Sequence, residues 1–167
     1  MVTHSVESGL VKSTIPQELG SDLLCNMAYA HTHHQDGPVM VIDFGTALTF
    51  STVSRKGEVL GVAIAPGLVT AVNALFGATA QLPQVELKVP DTVLGRDSMG
   101  SIRAGIMEGY AGLVERIIRK TEEELGERVY VMATGGLSTT ISTLIDRLDE
   151  LDPILTLRGL SLIASLN

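Results

Sequence analysis

The chain has a single cysteine, Cys25, among its 167 residues, so no intramolecular disulfide can form and a reducing cytoplasmic setting is expected. Basic residues are scarce as well. Twelve Lys and Arg stand against 19 Asp and Glu, a formal charge of −7, which disfavours nucleic acid and anionic membrane as partners because both are bound through clustered cations. No apolar stretch reaches the 18 or so residues of a membrane span. The opening MVTHSVESGLVK lacks the basic start and apolar core of a secretory leader. Charged residues make up only 19% against 45% hydrophobic, which argues against disorder. Repeats of short period and low-complexity segments are missing too. These absences leave a cytoplasmic globular chain whose length suits one domain.

What is present has a clear order. Pro16 and the four-residue recurrence of Leu19, Leu23 and Met27 predict a leading helix over 16–33. Asp36-Gly37-Pro38 then breaks the chain. Apolar runs at 39–43, 47–53 and 59–65, joined by tight connections, predict an antiparallel three-strand meander. Pro66-Gly67 opens a helix to about residue 77, followed by an irregular stretch with room for one short strand. Ile102, Ile106, Leu113 and Ile117 make the apolar stripe of a long helix over about 98–125, with Gly126 as its stop. A strand at 129–133, a helix at about 138–149, a short strand near Ile154-Leu155 and a helix from about 157 complete the pattern. A meander followed by alternating helices and strands gives an α/β fold: one mixed sheet, its antiparallel meander extended by parallel strands, with helices on both faces. The expected organisation is one domain over 1–167, with 1–38 as a leading helical segment and 39–167 as the core.

Four places carry chemistry. The stretch VIDFGTALTF runs four buried-type residues into Asp43, followed by Gly45, Thr46 and Thr49. It is either a plain hairpin corner, since Asp and Gly are turn residues, or a phosphate turn in which Asp43 holds a charge-offsetting cation. The Asp-Phe-Gly of protein kinases is set aside, because no glycine-rich loop, strand lysine or His-Arg-Asp loop accompanies it. Thr134-Gly135-Gly136, between a strand and a helix, either lets a nucleotide come close or is a simple turn with Ser138 as cap. Asp22, in Gly20-Ser21-Asp22-Leu23, is either a solvated helix carboxylate or a general base. Gly20, placed inside the leading helix, favours the second, because glycine in a helix interior costs about 1 kcal/mol. In Gly95-Arg96-Asp97-Ser98, Asp97 or Ser98 caps the long helix, or Ser98 offers a ligand its hydroxyl. His31, His33 and His34 lack further ligands at metal spacing, Cys25 reads as a small core residue, and Gly105, Gly109 and Gly112 form a small-residue face suited to close packing.

Eight stretches in order resemble the type III pantothenate kinase family: PQELGSD (16–22), VIDFGTALTF (41–50), GVAIAPGL (61–68), TAQLPQVEL (79–87), GRDS (95–98), GIMEGYAGLVE (105–115), ATGGL (133–137) and DPILTLRGL (152–160). The resemblance implies an actin-like (ribonuclease H-like) ATPase fold and ATP-dependent phosphorylation of pantothenate to 4′-phosphopantothenate, the first step of coenzyme A biosynthesis. It implies ATP with a divalent cation such as magnesium, a monovalent cation (potassium or ammonium) and a homodimer. By position, Asp22 matches the proton acceptor, Gly20, Ser21, Asp22 and Leu23 the substrate-binding motif, Asp43 the cation ligand, Thr46 an ATP contact and Ser98 a substrate contact. Departures accompany the matches. Leu23 stands where the family has Arg, removing a forked donor set for a carboxylate, Ser21 stands for Ala, and Ser13 for a substrate-contacting Tyr. Nothing here matches the family's preceding half with its own phosphate turn, so the expectation is the C-terminal half of such a kinase, as a truncated subunit or one served by a companion N-terminal half. The alternative expectation is a non-catalytic, degenerate relative that dimerises or binds a ligand.

Overall fold

The computed structural model describes residues 10–13, 19–78 and 85–166. A five-stranded sheet is its centre: β1 (Val39–Phe44), β2 (Ala47–Val53), β3 (Val59–Pro66), β4 (Tyr130–Thr134) and β5 (Glu150–Leu151), in the spatial order β3-β2-β1-β4-β5. β1 pairs antiparallel with β2, from Val39 opposite Val53 to Phe44 opposite Leu48, and β2 pairs antiparallel with β3. On its other side β1 runs parallel to β4, which in turn pairs with the two residues of β5. The meander and its parallel extension therefore stand as the apolar runs and tight turns imply. β1 is central because Val39 to Ile42 can be buried on both faces.

Side-chain alternation along β1 divides the core in two. Met40, Ile42 and Phe44 join Leu48, Phe50, Val131 and Ala133 under α3, the long helix Ser98–Leu125, which contributes Met107, Ala111, Val114 and Ile118. Val39, Val41 and Met132 face α1 (Ser21–His33) and α5 (Leu155–Ala164), with Leu24, Met27, Ala28 and Ile163 between them. Helices thus cover both faces. α2 (Leu68–Ala78) lies after β3. Cys25 is a buried free thiol in the α1 core.

The ends of several elements differ from the sequence expectation, each for a local reason. α1 starts at Ser21, and Gly20 is its extended N-cap (φ −61°, ψ 149°) rather than an interior residue; Pro16 lies outside the described residues. The helix expected over 138–149 is a single turn, α4 (Ser138–Ile141), followed by a 3-10 turn at Ser142–Leu144. Its sequence, STTISTL, is β-branched and hydroxyl-rich, and the hydroxyls of Ser142 and Thr143 bond back to the carbonyls of Thr139 and Thr140, competing with helix continuation. The last strand forms at 150–151 instead of 154–155. There Asp152 N–H donates to the Ala133 carbonyl, and Asp152 Oδ1 accepts from Ile154 N–H, turning the chain into α5. Residues 85–97 form no strand. α3 ends as anticipated at Gly126, left-handed at φ 71°.

Candidate functional site

The hairpin corner, the Gly-Gly turn and the start of α1 meet at one end of the sheet. Asp43 is the next-to-last residue of β1, directly opposite Thr49 in β2 and Thr134 in β4. Directly opposed residues share a sheet face, so the carboxylate sits between two threonines on the α1 side. Asn26, fully buried in α1, donates from Nδ2 to Asp43 Oδ2 at 3.3 Å. Burial pushes the Asp43 carboxyl above its ordinary pKa, the Asn26 donor partly offsets this, and the negative charge of Asp22 pushes it up further.

Gly135 closes the site from the β4 side. Its φ is +96°, and a Cβ there would lie 2.5 Å from Asp43 Oδ1 and 2.7 Å from the Phe44 backbone nitrogen and carbonyl carbon. Only glycine meets both demands, the left-handed backbone and the close approach. The turn is held by Ser138, whose hydroxyl donates to the Gly135 carbonyl at 2.7 Å. Beside it, Val69, Val72, Phe76, Val85, Leu87 and Leu137 line much of an apolar groove of about 530 Å³.

Asp22 is exposed in the first turn of α1. A Cβ on Gly20 would come within 2.5 Å of Asp22 Oδ1, so the glycine leaves the carboxylate room to fold back over the helix start. Ser21 is exposed beside it, whereas Leu23, only 7% exposed, gives its side chain to the α1 core. Thr46 is exposed at the β1–β2 turn; its carbonyl accepts from Gly67 N–H (2.9 Å) and Thr70 Oγ1 (2.7 Å), which ties the turn to the start of α2. Ser98 belongs to a different neighbourhood. It is the exposed first residue of α3, after the N-cap Asp97 whose Oδ1 accepts from Gly100 N–H at 2.7 Å, and beside a cleft of about 310 Å³ lined by Pro90, Arg96 and Arg103. Asp22, Asp43 and Thr46 are thus gathered at the sheet end and helix start, and Ser98 stands on another element.

The donor set can be tested against the cation that the family resemblance implies. Two buried oxygens in this region, Asn26 Oδ1 and Thr49 Oγ1, have no hydrogen-bond partner. Uncompensated oxygens beside a carboxylate are the hard ligands that alkali and alkaline-earth ions take. One first-rank carboxylate with neutral oxygens suits a singly charged ion. Among the described residues no group of three or more His, Cys, Asp or Glu could hold a metal, and His33 pairs instead with Glu150 at 3.4 Å and stacks on Tyr29. The residues fit a monovalent cation. Sequence reasoning missed Asn26, although one polar residue inside the apolar run LLCNMAYA was the available signal.

A β3-β2-β1-β4-β5 sheet with an acid-glycine hairpin on β1 and a glycine turn after β4 defines the actin-like (ribonuclease H-like) class of α/β domains. Solved structures agree on the fold. A Baf family protein from Campylobacter jejuni superposes with TM-score 0.66 at 21% identity over 96% of this chain and 70% of its own. The activator of the 2-hydroxyisocaproyl-CoA dehydratase from Clostridium difficile, solved with bound ADPNP, superposes with TM-score 0.52 at 12% identity, over 87% of this chain and 66% of its own. The type III pantothenate kinase family model matches residues 1–120, and the chain belongs to that family. The type III pantothenate kinase of Moorella thermoacetica is 42% identical across 100% of this chain, which spans 66% of that relative's length. Among the described residues no helix is long and apolar enough to cross a membrane.

Proposed function

We propose that the chain carries out the ATP-dependent phosphorylation of pantothenate to 4′-phosphopantothenate, as one half of a two-part active site. The carrying observation is the meeting of Asp43, the Gly135 turn and Asp22 at one end of the sheet. In this reading Asp22 accepts the proton of the substrate hydroxyl as its oxygen attacks the γ-phosphorus; the bond to the bridging oxygen breaks and ADP leaves. Its exposure leaves it open to an incoming hydroxyl. Asp43 and the oxygens around it would hold a potassium or ammonium ion, which would supply positive charge to offset that of the ATP phosphates. Thr46 contacts ATP from the turn that α2 braces, and the divalent cation arrives with ATP. The apolar groove beside Leu137 suits the nucleobase.

Gly20, Ser21 and the backbone at Leu23 form the acceptor side, with Ser98 contributing from α3 of a second copy in a homodimer. A Cβ at Gly105, Gly109 or Gly112 would meet nothing within 4 Å, so that helix face is open to close approach by another helix. The remaining phosphate contacts come from the part of the family's length that this chain does not span. A second reading, a non-catalytic relative that dimerises or binds ligand, is favoured by Leu23, whose buried side chain offers no charge to the acceptor carboxylate.

The test is ADP release with pantothenate, potassium and ATP, using this chain alone and mixed with the part of the Moorella thermoacetica relative that it does not span. Potassium-dependent turnover in the mixture supports the kinase. Dimerisation and ATP binding without turnover supports the second reading.

A further inference from the structure

The environment of Asn26 is unusual. Among the buried residues of α1 it alone is polar, and it is fully enclosed. A leucine would fill similar space without leaving a polar atom unpaired, so packing does not account for an amide here. One end of the amide donates to Asp43 Oδ2 at 3.3 Å; the other, Oδ1, has no partner. Thr49 Oγ1, in the residue directly across from Asp43, is unpartnered as well. Asn26 also lies four residues after Asp22, one turn along the same helix, which places the two on a common side.

We propose that Asn26 is a positioning residue for phosphoryl transfer: locked inside α1, its amide fixes the Asp43 carboxylate and thereby holds the cation seat at a set distance from Asp22. The helix acts as a rigid spacer between proton acceptor and cation ligand. The unpaired Thr49 oxygen is left for the ion, and the unpaired Asn26 oxygen for a water beside it. Second-rank partners of this kind orient the groups that touch an ion, and their loss costs about 10–100-fold in affinity or activity. The inference rests on the cation and proton-acceptor roles given to Asp43 and Asp22.

The experiment compares the full chain with Asn26→Leu and Asn26→Ala. Thermal shift is titrated with potassium against sodium in the presence of ATP, and kcat and KM are measured in the mixture described above. Positioning predicts a potassium midpoint raised about tenfold or more and kcat lowered about 10–100-fold, with KM for pantothenate near the wild-type value. A purely structural role predicts a lower melting temperature with unchanged potassium midpoint and kcat, and overturns the proposal. Should both variants fail to fold, the side-chain amide protons of Asn26 in the wild-type chain provide the second readout. They shift on adding potassium but not sodium if the proposal holds, and stay unmoved if it does not. If the wild-type chain itself shows neither a potassium-specific shift nor turnover, the functional reading fails and this proposal falls with it. Wild-type response with indifferent variants defeats the proposal alone.

Discussion

The two faces of β1 are built from one strand and end differently. On the α3 side, Met40, Ile42 and Phe44 stay apolar to the last residue, in a cluster with Leu48, Phe50 and Met107. On the α1 side, Val39 and Val41 give way to the half-buried Asp43, with Asn26, Thr49 and Thr134 around it. The first face is spent on stability. The second gives up burial at its end, where the carboxyl is pushed toward its neutral form by lost solvent and by Asp22. Acids held at a cost in stability are typical of places where a fold does chemistry. The difference predicts that neighbouring residues of one strand will fail in opposite ways.

Asp43→Asn breaks the comparison most strongly. Its kcat should fall about 10²–10³-fold, as when a preorganised electrostatic group is removed, and the potassium-dependent thermal shift should vanish. The unliganded protein should keep or raise its melting temperature, because the amide removes a half-buried charge. Phe44→Ala, one residue on, should do the reverse. It should cost about 3–5 kcal/mol of stability, read as a melting temperature lower by roughly 10 °C, while the potassium midpoint of the folded protein stays put. Gly135→Ala should bridge the two behaviours. The left-handed backbone costs about 1–3 kcal/mol, and the methyl group meets Asp43 Oδ1, so stability and cation affinity should fall together.

The smallest effect concerns pH. Because the folded pKa of Asp43 lies above its unfolded value, the folded state binds this proton more tightly. The stability that this group contributes is therefore complete below the unfolded pKa and is lost as pH rises through the folded one. Asp43→Asn should flatten that fall in a melting-temperature series run without potassium or ATP. An unchanged slope would show that the carboxylate is better solvated than its surroundings indicate.

Much of the stability face was legible in the sequence. The runs at 39–43, 47–53 and 59–65 and the stripe on α3 follow from apolar period and turn residues, which are local signals. The single-turn α4 was not legible, because an amphipathic pattern over 138–149 conceals how hydroxyls compete for the backbone. The chemical face was legible only in part. Asp43, Thr46 and Asp22 stand out against their neighbours or through family motifs. That Asn26 reaches Asp43, or that Thr49 and Thr134 flank it, depends on strand register and on how α1 lies across the sheet, neither of which is local. Gly20 shows the same limit: read as an interior helix residue, it is the N-cap, with a role set by the Asp22 carboxylate above it.

The central claim is that the Asp43 carboxylate seats a monovalent cation beside the Gly135 turn. Thallium(I), a heavy substitute for potassium, locates such an ion directly by anomalous scattering in crystals grown with ATP. The account predicts a strong peak in contact with Asp43, within reach of Asn26 or Thr49, that potassium displaces and that Asp43→Asn abolishes. A peak elsewhere, or a well-ordered nucleotide with none at Asp43, would contradict it.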